Sequence, residues 1–149
     1  MRIVFATFGS LGDVHPVIAV GLALRQRGHR VTVATSEFYR EKISALGFAF
    51  EPLRPELAVV DEAMVRKIMD GSRGSEFLLR ELMLPAVRAM HADLTRIAVG
   101  ADLLVSSELV YAAPLLAAQT GLRWASYSLA PLSLFFHPRS LRATRSRRG

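Results

Sequence analysis

Residues 1–35, MRIVFATFGSLGDVHPVIAVGLALRQRGHRVTVAT, decide the fold. Ile3, Val4 and Phe5 sit in a near-continuous apolar run over Arg2 to Thr7, the mark of a strand buried on both faces. FGSLGDVH, Phe8 to His15, breaks that run with two glycines three apart. Pro16 suits the first turn of a helix, where a missing N–H costs nothing. Val17, Val20, Gly21 and Leu24 then recur at helical spacing and predict its inner face. Gly28-His29 stops the helix, and Arg30 to Thr35 is a second β-branched strand. Strand, crossover helix and parallel strand make one right-handed unit. In such sheets ligands bind outside the carboxyl ends of the strands. Gly9, Ser10, Gly12, Asp13 and His15 fall there.

The rest of the chain repeats this alternation. Ser36 is placed to cap a helix over Tyr39 to Leu46, closed by Gly47, and Phe48 to Phe50 form a short third strand. Val60, Met64 and Ile68 align along a helix predicted from Leu57 to Met69. Gly71 to Ser75 reads as a flexible loop, more a plain surface loop than a mobile one over a bound ligand. Leu79, Leu82, Met83, Ala86, Met90, Leu94 and Ile97 track one stripe of a long helix over Glu76 to Val99, which Pro85 should kink or split. Phe77, Met83 and Met90 suit a core or the wall of a ligand pocket. Leu103 to Ser106 is a fourth buried strand, Tyr111 to Thr120 a helix ended by Gly121, and Trp124 to Ser128 a fifth strand. The expected fold is α/β, a parallel sheet of about five strands with helices on both faces.

Composition bounds the function. The 149 residues suffice for one domain with a real core, and 51% hydrophobic content argues against disorder. With no cysteine, disulfides and thiolate zinc sites are excluded. His15, His29, His91 and His137 have no metal-ligand spacing, so no metal is expected. The net charge of +6 belongs to the end of the chain: Arg139 to Gly149 holds five arginines and no acid, and 19 less 5 leaves 14 basic residues against 13 acidic. The remainder is near neutral, which argues against a specific nucleic-acid face. The tail, 139–149, reads as disordered. Glycine and charge follow the first apolar run too soon for a signal peptide or membrane span, so a cytoplasmic protein is expected, with room for peripheral contact of the tail with anionic lipid.

The chemistry-bearing residues gather in GSLGDVHP. Its loop meets the positive end of the first helix, which favours phosphate or carboxylate. Asp13 can be read as a helix cap worth about 1 kcal/mol or as a base. His15, before Pro16, is more often a turn residue than a base. The stretch is neither GxGxxG nor a Walker loop, since no Lys-Ser/Thr follows.

The whole stretch, with Gly9, Ser10, Gly12, Asp13, Pro16, Ala23-Leu24, Gly28-His29, Val31 and Ala34-Thr35 in order, resembles the opening of the N-terminal domain of GT-B glycosyltransferases of the family 28 and family 1, sterol, macrolide and glycopeptide type. ADLLVSSELVYAAPLLAAQTGLRWASYSLAP, residues 101–131, is similar to the family's later strand–helix–strand, and the resemblance covers roughly residues 2 to 132. It implies a Rossmann-like domain, the N-terminal half of a GT-B fold, over 1–138, incomplete at its end and lacking the C-terminal domain that holds the donor. It implies an inverting transfer of a hexosyl group from a UDP- or TDP-sugar to a hydroxyl of a lipid, sterol, polyketide or glycopeptide-like acceptor, with no cofactor. Asp13 matches the catalytic base, and Ser10 with the Gly9–Gly12 backbone would contact phosphate or acceptor. The family's His-type members orient the base with an Asp after the fourth strand; here Ser107 stands in that place and Glu108 beside it, so either Asp13 acts without such a partner or Glu108 serves. The chain alone is expected to be inactive, and its uncovered cleft face to favour self-association. Two other readings stay open: a non-catalytic acceptor-binding or scaffold half that pairs with a separate donor subunit, and a nucleotide-binding Rossmann module.

Overall fold

The computed structural model describes residues 1–56 and 62–129. Five strands, β1 (Arg2–Ala6), β2 (Arg30–Thr35), β3 (Ala49–Pro52), β4 (Leu103–Ser107) and β5 (Trp124–Tyr127), form one sheet in the order β3-β2-β1-β4-β5. Every pairing is parallel. Because β1 lies between β2 and β4, the chain leaves β1 toward one side of the sheet and later returns on the other. The order thus reverses between β1 and β4, and a crevice opens at their carboxyl ends.

Alternation along the strands builds two cores. Val4, Ala6, Phe8, Ala34 and Leu104 face one side, with Met83, Met90, Leu94, Ile97, Ala112, Ala113 and Leu116. Those partners come from α5 (Leu84–Ile97), α6 (Ala112–Thr120) and the turn before α5. Ile3, Phe5, Val31 and Val33 face the other side, against Val14, Val17 and Ile18 of α1 (Leu11–Gln26) and Ile43 of α2 (Arg40–Ala45). Helices cover both faces, as the alternating pattern predicts.

Several boundaries differ from the sequence reading, each for a local reason. Helix α1 starts at Leu11, five residues before Pro16, because Ser10 and Asp13 build a cap that outweighs the proline as a start signal. Pro16 lies inside the helix, where its ring removes one backbone bond. The inner face of α1 is Val14, Val17, Ile18 and Gly21, whereas Val20 is 51% exposed, off that stripe. Gly21 permits the close approach: a Cβ there would lie 2.9 Å from the Phe48 ring. Ser36 does cap, but it caps a 3₁₀ turn over Glu37–Tyr39 that leads into α2.

Helix α3 spans Glu62–Ile68; residues 57–61, the first part of the helix predicted from Leu57, lie outside the described residues. Gly71 to Ser75 does not form a plain loop. Asp70 Oδ1 accepts from the Ser72 and Arg73 amides at 2.9 and 2.7 Å, and α4 (Gly74–Phe77) begins within the segment. A π-helical segment, Leu78–Met83, then joins α4 to α5, with Pro85 in the first turn of α5. A π turn absorbs an extra residue and suits a following proline, which has no N–H to offer the ladder. The extra residue also breaks the stripe: Met83, Met90, Leu94 and Ile97 are buried, while Leu79 reaches the surface.

Side chains tie α5 to the sheet edge. The Arg54 guanidinium holds Asp93 with two bonds, Nη2 to Oδ1 at 2.7 Å and Nε to Oδ2 at 2.9 Å, and the Arg54 amide adds a third to Oδ2 at 3.1 Å. Arg96 reaches Glu51 at 2.8 Å. The Arg2 guanidinium bonds the carbonyls of Ile97, at 2.9 Å, and Val99. The apolar run after Pro131 and the arginine-rich tail lie outside the described residues.

Candidate functional site

The loop after β1 enters α1 through a capping box. Ser10 is the N-cap, and its hydroxyl accepts the Gly12 amide at 3.2 Å. Asp13, third in the helix, turns back so that Oδ2 accepts the Ser10 amide at 2.7 Å and the Ser10 hydroxyl at 3.1 Å. The carboxylate therefore stands over the first turn, at the positive helix end and at the crevice between β1 and β4. Both bonds fall on Oδ2, which leaves Oδ1 uncommitted among the described residues.

The two loop glycines do different work. Gly9 has φ +137°, and a Cβ on it would overlap Asp13 Oδ2. Only glycine lets the carboxylate fold down onto this backbone. Gly12 is ordinary helix, with 3.3 Å from a Cβ to Ser10 Oγ. Of the two glycines that break the apolar run, Gly9 alone makes the sharp turn. His15 is exposed and two residues along from Asp13, about 200° around the helix, so the two are not brought together.

Across the crevice, Ser107 ends β4 and is buried, while Glu108, in the turn beyond it, is exposed. The Glu108 charge acts on Tyr111, whose phenol is raised first by burial and then by that carboxylate.

Four residues not singled out from the sequence complete the site's inner wall. Tyr39, buried at the end of the 3₁₀ turn, donates its hydroxyl to the Gly9 carbonyl at 3.1 Å and so pins the loop from β2's side. Burial pushes the Tyr39 phenol up, and the Asp13 carboxylate adds to it. The other three are Thr7, Thr35 and Tyr127, which join Ser107 in a row. Ala6 pairs with Ala34 and with Ser106, so Thr7, the next residue, stands level with Thr35 and Ser107; Ser107 pairs with Tyr127. Thr7 has the parity of Ile3 and Phe5, and the row lies on the α1 face, where Tyr127 packs. All four hydroxyl oxygens are buried without a hydrogen-bond partner among the described residues. Such an orphan costs about 1–3 kcal/mol. Burial pushes the Tyr127 phenol up, the nearby Thr7 and Ser107 hydroxyls act against it, and the Asp13 carboxylate reinforces it. The signal for the row was present in the sequence, since four strands end on or just before a hydroxyl residue at one parity.

Among the described residues no group of three His, Asp or Glu side chains could hold a metal, and no helix is long and apolar enough to cross a membrane. A cavity of about 620 Å³ among Thr95, Val99, Asp102, Leu116, Thr120 and Arg123 opens at the amino end of the sheet, because Asp102 and Arg123 precede β4 and β5. It is far from Asp13 and takes no part in the site.

With this geometry in place, the comparisons are specific. Residues 3–122 match the glycosyltransferase family 28 N-terminal domain. An uncharacterised glycosyltransferase of Mycobacterium tuberculosis is 32% identical over 117 residues, 73% of this chain and 27% of the relative. A sterol 3-beta-glucosyltransferase of Arabidopsis thaliana is 36% identical over 66 residues, 44% of this chain and 10% of that protein. The crystal structure of SsfS6, a glycosyltransferase of Streptomyces sp. SF2575, superposes with TM-score 0.66 at 27% identity, over 86% of this chain and 39% of its own; SsfS6 has also been crystallised with thymidine diphosphate. The chain thus spans about a quarter of the mycobacterial relative and less than half of SsfS6. The sheet order, the capped loop at its switch point and the match over residues 3–122 agree: this chain belongs to the glycosyltransferase family 28 N-terminal domains, with the Rossmann-like α/β fold of GT-B glycosyltransferases.

Proposed function

We propose that this chain is the acceptor-side part, over residues 1–138, of an inverting glycosyltransferase. The enzyme moves a hexosyl group from a UDP- or TDP-sugar to a hydroxyl of a lipid, sterol, polyketide or glycopeptide-like acceptor, and a further domain holds most of the donor. The thymidine diphosphate bound by SsfS6 and the sterol acted on by the Arabidopsis relative support those classes. In this reading the acceptor lies in the crevice at the carboxyl ends of β1 and β4, and Asp13 accepts the proton of its hydroxyl as the oxygen attacks the anomeric carbon. Attack opposite the leaving diphosphate inverts that centre. The helix end beside Ser10 favours the negative charge of the departing group.

One observation carries the assignment of Asp13: a half-buried carboxylate stands at the sheet's switch point with one oxygen uncommitted. The same capping box favours a second reading. Asp13 could serve α1 alone, and the chain would then be a non-catalytic acceptor-binding half that pairs with a donor subunit. Sugar transfer by the enzyme encoded by the complete reading frame separates the two. Asp13→Asn keeps an acceptor for the Ser10 amide and removes the base. Turnover should fall about 10²–10⁴-fold with donor affinity intact. Unchanged transfer would make Asp13 a helix cap.

A further inference from the structure

The row Thr35–Thr7–Ser107–Tyr127 spans four neighbouring strands at one level, on the face under the first turn of α1. Each hydroxyl brings one donor and two acceptor sites, and none is used within the described residues. Thr7 and Thr35 are fully buried, and Ser107 is 7% exposed. Buried polar groups are satisfied in folded proteins, so a row of this kind points to something that takes its donors. An acceptor molecule would have to enter the packed layer to reach these oxygens. The anion nearest at hand is Asp13, whose charge acts on both tyrosines that flank the loop, Tyr39 and Tyr127. Tyr39 is already spent on the Gly9 carbonyl. Tyr127 makes no hydrogen bond among the described residues, although the Thr7 and Ser107 hydroxyls lie close enough to act on it.

We infer that Tyr127, backed by Thr7 and Ser107, is a positioning residue for Asp13: its hydroxyl, through one ordered water, donates to Asp13 Oδ1 and holds the carboxylate toward the acceptor crevice. The inference rests on the reading of Asp13 as the base. It explains how the base is oriented although β4 ends on the neutral Ser107. The link runs through neutral hydroxyls, and no proton moves along it. The groups that act on Asp13 are Tyr39 from the 3₁₀ turn, Tyr127 from β5 and Ser10 on its own loop, while His15 points to the other side of α1.

Two measurements test this separately from the base assignment. In the 149-residue chain, the ring-carbon NMR signal of Tyr127 should titrate above the ordinary tyrosine range, and Asp13→Asn should move that titration down. No response would mean that the two groups do not face each other, and the inference falls. In the sugar-transferring enzyme, Tyr127→Phe should lower kcat about 5- to 50-fold with acceptor KM unchanged within about 2-fold, on the scale of an oriented hydrogen bond. Ser107→Ala should act in the same direction, and Ser107→Thr, which keeps the hydroxyl, should restore the rate. If Asp13→Asn abolishes transfer while Tyr127→Phe keeps kcat within 2-fold, the base stands and the positioning role is overturned. A rise in KM alone on Tyr127→Phe would overturn it too, as that is the signature of direct acceptor contact. If Asp13→Asn leaves transfer unchanged, the base assignment and this inference fall together.

Discussion

Gly9→Ala is the most informative single change, because its cost has two sources that can be separated. The backbone at residue 9 has φ +137°, a region an alanine occupies only under strain of about 1–3 kcal/mol. The new methyl would also overlap Asp13 Oδ2 and drive the carboxylate off the Ser10 amide. That ends the capping box, at a cost of about 1 kcal/mol. The total is about 2–4 kcal/mol, which for a chain of this length lowers Tm by about 4–16 °C. Thermal unfolding followed by circular dichroism measures it. Gly12→Ala is the control: residue 12 has helical backbone, its Cβ would lie 3.3 Å from Ser10 Oγ, and alanine's better helix propensity opposes that tight contact, so the change should stay within about 1 kcal/mol. The double variant Gly9→Ala/Asp13→Ala closes the cycle. Since Gly9→Ala already removes the cap, the double variant should be more stable than the sum of the singles implies, by about 1 kcal/mol. A Gly9→Ala melt within 2 °C of the parent, or strict additivity, would refute the account of why this loop needs glycine.

Arg2→Ala should destabilise the fold by about 1–2 kcal/mol in denaturant unfolding, because the guanidinium bonds two carbonyls at the end of α5, where a cation is favoured. Arg2→Lys should recover part of that loss. The Arg54 guanidinium bonded to Asp93 holds that carboxyl below its ordinary value of 3.8. A depressed carboxyl gives stability that is present above the unfolded-state value and lost as the pH falls through the folded one, so the effect appears at and below about pH 4. Half of Arg54 is exposed, so solvent screening keeps the pair's contribution small. Asp93→Asn should flatten this part of the acid limb, and an unchanged slope would show that the pair contributes nothing measurable.

The parallel α/β architecture was legible in the sequence because buried strands and capped crossovers leave strong local marks. The β-branched run RVTVAT and the apolar centre of β1 could hardly be helix, and Gly28, Gly47 and Gly121 stop helices where expected. The start of α1 was less legible, because Pro16 and Ser10 are rival start signals, and a reciprocal cap between Ser10 and Asp13 becomes visible only with the backbone in place. The π turn before Pro85 escaped notice since a helical stripe takes 3.6 residues per turn for granted. At the site, a resemblance carried by GSLGDVHP drew attention to Asp13 and Ser107. It did not reveal Tyr127 or Tyr39. Both contribute through cross-strand level and loop contact, quantities that depend on strand order and so on the whole fold.

The strand order has a consequence for engineering. Asp13 and Ser107 stand at the same end of the sheet because β1 and β4 are neighbours, and the described chain between β3 and β4 is an excursion from that frame. It is bolted to the frame by Arg54–Asp93, Glu51–Arg96 and the Arg2 clasp on the end of α5. A chimera that imports a related glycosyltransferase's β3–β4 excursion, while keeping those anchor residues, would replace that excursion and leave the β1 and β4 ends in register. The fold thus behaves as a chassis with one exchangeable panel, and the anchors mark where to cut.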